Sequence, residues 1–378
     1  MLLKNGLIYQ DGEFRKKDIR IMEGKILEIG TDLPEKEEEI LEIQGFRVIP
    51  GFVEIHMHGA VGVDVNAADA EGFEKIGRFL ATQGVTGWLC SILTDTEEQT
   101  LKCIHEYRRW KELPHWGAEL MGIHLEGPFL GEKYKGAMPP HLLRDMDLEL
   151  LKRYQQAAEG EIRYITVSPE CAGVLAAIPE IRKMGIQVAI GHSDATYDQA
   201  MQAIRQGAGA CTHTFNAMRL FHQHEPAIMG AALESDIYCE AICDGIHLHP
   251  GSVRLLLKTK SWNRVVAVAD SIMATGFPDG QYKLGVNDVI VKDGDAKLMS
   301  DGTRAGSVLT AAKAFQNLIR FTGENPERII PLFTENPARL LGLERKKGYL
   351  KEKRDADFVI VDEKYRIQST FVKGKKVF

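Results

Sequence analysis

Between residues 50 and 345 the chain alternates two hydrophobic patterns. Short, nearly unbroken apolar runs occur at Phe52 to Ile55, Thr86 to Ile92, Leu120 to Leu125, Arg163 to Val167, Gln187 to Ile190, Ala210 to Thr214, Tyr238 to Cys243 and Val265 to Ala269. Runs of this length, without polar residues at every second position, suit strands buried on both faces. Most gaps between them repeat apolar residues every three or four positions, the period of an amphipathic helix, as over 71–83, 96–110, 172–184 and 195–206. A later helical stretch covers 311–322. Eight strands alternating with helices predict an α/β fold, a (β/α)8 TIM-like barrel over residues 51–344.

The ends of the chain follow another rule. The first fifty residues are short strand-like segments punctuated by Asn5-Gly6, Asp11-Gly12 and Glu23-Gly24, spaced too closely for helices. Ala356 to Val361 and Ser369 to Gly374 have the same character. Residues 1–50 and 345–378 are therefore expected to combine into one small β-sandwich domain. The Gly- and Asp-rich stretch Gly276 to Gly302 is expected to be a β-hairpin inserted after the eighth barrel strand.

Composition narrows the function. A chain of 378 residues with a net charge of -6 carries no basic footprint for nucleic acid. No apolar stretch approaches the roughly 20 residues of a membrane span, and the start lacks a signal peptide, so a cytoplasmic protein is expected. The six cysteines lie scattered in apolar segments, as reduced buried thiols do.

Barrel chemistry gathers at the carboxyl ends of the strands, and the polar residues of this chain fall there. His56 and His58 end the first run; residues two apart on a strand share a face, so both imidazoles can hold one metal ion or two adjacent ones. Glu126 ends the third run, His192 follows the fifth, His213 closes the sixth and Asp270 follows the eighth. One histidine at a strand end is more often a hydrogen-bonded structural group than a ligand, and one aspartate more often a helix cap. Six such residues at five strand ends are hard to explain that way. Glu126, His192 and His213 supply a carboxylate and two imidazoles, which suit zinc or another first-row divalent ion and leave positions open for water and substrate. His56 and His58 complete this site or build a second. Asp270 stands as a carboxylate for proton transfer, and the chemistry is hydrolysis.

These residues also carry a resemblance. Pro50 through Gly59, His124 to Pro128, Gly191-His192-Ser193, Asn216-Ala217-Met218, Asp244-Gly245-Ile246-His247, Ala305-Gly306-Ser307 and Asn336-Pro337-Ala338 resemble the motifs of the amidohydrolase superfamily, and within it the N-acetylglucosamine-6-phosphate deacetylase family. The resemblance implies Glu126, His192 and His213 as metal ligands, Asp270 as proton acceptor and donor, and His56 and His58 as holders of a second metal in some members. One or two divalent ions are thus expected, zinc first, with iron, cobalt and manganese also suited. It implies a small-molecule amino sugar phosphate as substrate, touched by Asn216, Ala217, His247 and its motif partner Asp244, with Ala137 and Met138 and the segment Arg304, Ala305, Gly306 lining it. It also implies a homodimer in which a partner subunit lends an arginine to the phosphate. That position is His224 here, Met138 stands where a histidine is usual, and Arg304 where an aliphatic residue is usual. Arg304 or Arg219 is the cation left to replace the missing charge. A related N-acyl amino sugar such as N-acetylgalactosamine-6-phosphate, or another N-acyl compound, is the alternative substrate. A silent metal-binding scaffold is the reading that a retained Asp270 opposes.

Overall fold

The structure is a computed structural model that describes all 378 residues. Each of the eight apolar runs forms a strand: Phe52–Glu54, Val85–Leu93, Glu119–Glu126, Ile162–Val167, Gln187–Ile190, Ala210–Cys211, Tyr238–Ile242 and Val265–Val268. They pair in parallel in that order. The first and eighth meet just beyond their ends, where the Asp270 N–H donates to His56 O at 2.9 Å and the His58 N–H to Ser271 O at 2.7 Å. The barrel therefore closes through the residues that the sequence marks for chemistry. All nine residues of the second strand are buried, which explains its lack of alternation.

Helices cover the outside where the period requires them, at Ala70–Thr82, Glu97–Lys111, Val174–Lys183, Tyr197–Gln206 and Ala311–Thr322. Leu148–Ala157, Ala227–Glu234 and Pro250–Lys260 complete the ring. Their starts are written locally: Asp69, Thr96, Asp147 and Thr196 each accept a backbone N–H of the first turn through the side chain. No helix is long and apolar enough to cross a membrane.

The insertion after the eighth strand differs from expectation. Three antiparallel strands form there, Gly280–Leu284, Asn287–Lys292 and Asp295–Leu298, not a two-stranded hairpin. Burial supplies the third strand: Ala296 and Leu298 alternate with exposed neighbours and pack with Leu284, Val289 and Val291 against Met138 and Ile272 at the barrel mouth.

The two termini join in one sheet, with the strand Arg47–Pro50 between Leu2–Gln10 and Phe358–Val361. The sheet curls onto itself. The Ile26 N–H donates to Arg354 O at 2.9 Å, and the turn at Gly24 lies against Lys373. Leu3, Ile8, Ile19, Val48, Phe358 and Phe371 form its interior, with the two phenylalanine rings stacked at 4.4 Å.

Barrel and terminal sheet are tied by one buried cation. Lys347 Nζ lies 2.6 Å from Glu119 of the third barrel strand, 3.1 Å from Asp355 and 2.5 Å from Asp357. This acidic triplet already has its cation in the ammonium group. Burial pushes the Glu119 carboxyl up, but Lys347 and Lys373 outweigh it and hold it down at about 2. Its stabilising contribution is present above the ordinary value of 4.5 and is lost as pH falls toward about 2. Lys347→Met should lower stability at pH 7 by about 3–5 kcal/mol, because three acids lose their buried partner. In urea melts that deficit shrinks as pH falls below 4.5; a variant as stable as the parent chain at pH 7 would show that Lys347 does not hold the junction.

Candidate active site

The six residues marked at the strand ends converge. His56, His58, Glu126, His192, His213 and Asp270 are all buried. The Glu126 carboxylate is their centre, with Oε1 3.3 Å from His56 Nε2, 3.3 Å from His192 Nε2 and 3.2 Å from His213 Nε2, and Oε2 3.1 Å from His58 Nε2. Asp270 Oδ1 stands 3.3 Å from His58 Nε2 and 3.6 Å from His56 Nε2. His192 Nε2 and His213 Nε2 are 3.0 Å apart.

The opposite ring nitrogens explain why the Nε2 atoms point inward. His56 Nδ1 lies 2.9 Å from Glu240 Oε2, His58 Nδ1 3.0 Å from Ser91 O and His192 Nδ1 2.9 Å from Tyr134 O. A carbonyl or carboxylate only accepts, so each Nδ1 carries the proton, and a neutral ring then offers a lone pair at Nε2. Several lone pairs facing one buried carboxylate repel unless a cation lies among them. His56 Nε2 makes no hydrogen bond of acceptable geometry. The donor set therefore fits a divalent metal, with Glu126, His192 and His213 as one group and His56, His58 and Glu126 as another.

The electrostatics agree. Burial lowers the His56 imidazole, but Glu126, Glu240 and Asp270 outweigh it and raise it well above its ordinary value. Burial also opposes the charge on His58, which hydrogen bonds to Asp270 and Glu126 nevertheless bring to about 9. Glu126 is pushed up by burial and pulled well below the carboxylate range by His56 and the hydrogen bonds of His192 and His213. The acids thus call for positive charge at this point, which an ion supplies more compactly than protons do. Backbone strain gathers here too: His192, His213, Phe215, Ala217 and Asp270 all have positive φ. Such conformations cost roughly 1–3 kcal/mol each and persist where the surroundings enforce them.

Above this floor opens a cavity of about 380 Å³. Ala137, Met138, Asn216, Ala217, His247, Arg304 and Gly306, the residues the resemblance implies as substrate contacts, line it. Ala305 is buried beside them, and Asp244 sets His247 by accepting its Nδ1–H at 2.6 Å. Gly306, at φ +60°, lies so close to Asp270 that an added Cβ would sit 3.0 Å from the Asp270 carbonyl and 2.5 Å from Ile272. His224 is not brought into this cavity. It lies exposed in a separate pocket with Arg219, whose Nη2 reaches Glu225 at 2.8 Å, as a position that serves a partner subunit's cavity would.

Sequence reasoning missed the supporting residues. Glu240 Oε2 also accepts the His213 N–H at 3.0 Å, and Glu240 Oε1 the Tyr164 hydroxyl at 2.7 Å, so one acid steadies ligands from two strands. Glu54 accepts the N–H groups of His56 and Ala269, each at 3.0 Å, and burial raises its carboxyl to about 8. A lone acid inside an apolar strand, as in Val53-Glu54-Ile55 and Cys239-Glu240-Ala241, was the available sign. Lys133, Phe215 and Thr303, which also face the cavity, carried none.

Comparison with known proteins agrees with this geometry. The family model described as the amidohydrolase family matches residues 47–377, and the chain belongs to that family. An N-acetylglucosamine-6-phosphate deacetylase of Bacillus subtilis (strain 168) is 35% identical over 100% of this chain and 97% of its own length. An N-acetylgalactosamine-6-phosphate deacetylase of Escherichia coli O157:H7 is 31% identical over 98% and 97%. Among solved structures, the D267A mutant of the N-acetyl-D-glucosamine-6-phosphate deacetylase from Mycobacterium smegmatis, in complex with N-acetyl-D-glucosamine-6-phosphate, superposes with a TM-score of 0.92 at 31% identity, covering 100% of this chain and 99% of that one. Within the amidohydrolases the chain accordingly groups with the N-acetylglucosamine-6-phosphate deacetylases.

Glu240→Gln removes the charge that fixes His56, and metal affinity should fall about 10- to 100-fold. Metal retained after dialysis against graded chelator measures this; retention equal to that of the parent chain would remove Glu240 from the site.

Proposed function

We propose that the protein hydrolyses the acetamide of N-acetylglucosamine-6-phosphate to acetate and glucosamine-6-phosphate, a step of amino sugar breakdown. The observation that carries this is the convergence of a metal-ligand set and one further carboxylate, Asp270, on the floor of a cavity large enough for a sugar. The relatives' names supply the substrate class.

Glu126, His192 and His213 hold the ion in this reading, zinc first and iron, cobalt or manganese after it; His56 and His58 with Glu126 hold a second where two bind. A divalent ion there supplies a Lewis acid for the acetyl carbonyl and a water acidified to a pKa of about 7. Asp270 takes the water proton at its carboxylate as the new carbon–oxygen bond forms. It returns that proton to the nitrogen as the carbon–nitrogen bond breaks, so the amine leaves neutral. Asp270 Oδ1 faces the ligand nitrogens, 3.3 Å from His58 Nε2 and 3.6 Å from His56 Nε2, where an ion held by the set would keep it ionised as the base. His247, set by Asp244, and the Asn216-Ala217 turn hold the sugar.

The reading places the chemistry in residues 51–344, with 1–50 and 345–378 as a supporting sandwich, in a cytoplasmic homodimer. The galactosamine epimer is the second substrate, supported by the relative that bears that name.

Acetate release by the metal-loaded protein from N-acetylglucosamine-6-phosphate should exceed that from the epimer and from unphosphorylated N-acetylglucosamine. Turnover of none of the three would overturn the proposal. Asp270→Asn should keep its metal and lose about 10²- to 10⁴-fold in kcat; near-normal turnover would reassign the proton transfer.

A further inference from the structure

The floor of the cavity is built from acids and imidazoles, and the only lysine and arginine among its lining residues are Lys133 and Arg304. Each is paired with an acid that does not itself line the cavity. Lys133 Nζ is 3.0 Å from both Asp194 oxygens. Arg304 grips Asp295 with two parallel bonds, Nε to Oδ1 at 2.8 Å and Nη2 to Oδ2 at 3.0 Å. That grip uses two of five guanidinium N–H groups and leaves three, including both on Nη1, in a fixed plane.

The backbone beneath Arg304 is equally fixed. Arg304 bridges Lys297 of the three-stranded insert, and the Ala305 N–H donates to Ala296 O at 3.0 Å. Asn287 Nδ2 reaches across to Ala137 O at 2.9 Å, joining the insert to the loop that carries Ala137 and Met138. The insert and this loop share one buried apolar cluster. They make one wall of the cavity, and Arg304 is the charge on it.

In a hexosamine 6-phosphate the acetamide on C2 and the phosphate on C6 project from opposite edges of the ring. With the acetamide at the floor, the phosphate points up the wall. A phosphate is repelled by Glu126 and Asp270 and needs cations, and a guanidinium with a free face suits it better than a point charge.

We propose that Arg304, with Lys133 lining the same cavity, receives the substrate phosphate from within the same chain, so that the three-stranded insert sets the preference for phosphorylated sugars. This rests on the deacetylase reading, deepens it, and has Asp295 as a positioning residue. Both cations are partly exposed and ion-paired at the surface, so their loss leaves the fold intact.

The test is the ratio of kcat/KM for N-acetylglucosamine-6-phosphate to that for N-acetylglucosamine, in the parent chain and in Arg304→Leu, Arg304→Lys and Lys133→Met. Arg304→Leu should lower the ratio about 10- to 100-fold, chiefly through KM, as loss of a charge-assisted hydrogen bond does. Arg304→Lys should recover part of it, and Lys133→Met should lower it less. An unchanged ratio in Arg304→Leu, beside a parent chain that prefers the phosphorylated sugar, overturns the inference and leaves the deacetylase standing. Equal loss on both sugars also overturns it, by making Arg304 structural. A parent chain that turns over neither sugar ends both readings.

Discussion

A buried carboxylate surrounded by imidazole lone pairs is a demand for positive charge, and Glu126 makes that demand at the mouth of the barrel. Burying an unpaired ion costs several kcal/mol even after relaxation. Four Nε2 atoms within 3.3 Å of its oxygens give no relief while their rings are neutral. A divalent cation among them meets that demand, and the donor set fits one. Outward hydrogen bonds from Nδ1 to Glu240, Ser91 and Tyr134 hold the rings in that orientation, so the support reaches into three further segments of chain.

Barrel closure and site assembly are one event. The backbone bonds that join the first strand to the eighth are made by His56, His58, Asp270 and Ser271, and Glu54 adds its side chain below them. The seam and the ligand set share residues, so the site cannot loosen without opening the barrel at that edge. Asp270, which makes one of the closure bonds, has left-handed backbone, as do His192 and His213 beyond the fifth and sixth strands, so ligand direction is gained at the expense of φ.

Around that rigid floor the walls come from less regular chain. The loop carrying Tyr134 to Met138 caps a ligand histidine with a carbonyl and lines the cavity with side chains. The insert braces it through Asn287 and a shared apolar cluster. Chemistry and selectivity thus rest on different parts of the structure, the first on strand ends and the second on loops, which is how one barrel serves many substrates.

The sequence by itself determined the eight strands, most of the outer helices, the joining of the termini and the six residues of the floor. Those readings depend on local facts: a period of 3.6 or none, a turn dipeptide, a histidine or acid where an apolar run stops. It expected two strands in the insert because the third, Asp295–Leu298, is short and shows its apolar face only against the barrel. It passed over Glu54 and Glu240, whose partners lie up to 215 residues away, and over Ser91, whose carbonyl carries no mark in a sequence. It could name His224, which lies exposed outside this chain's cavity, as a position lent to a partner subunit's site, a role that a single chain does not test. Tertiary structure alone decided which nitrogen each imidazole presents, which acids support the ligands and where the two cations of the wall stand. Those are distances between residues far apart in the chain, and they become definite only when the barrel closes and packs.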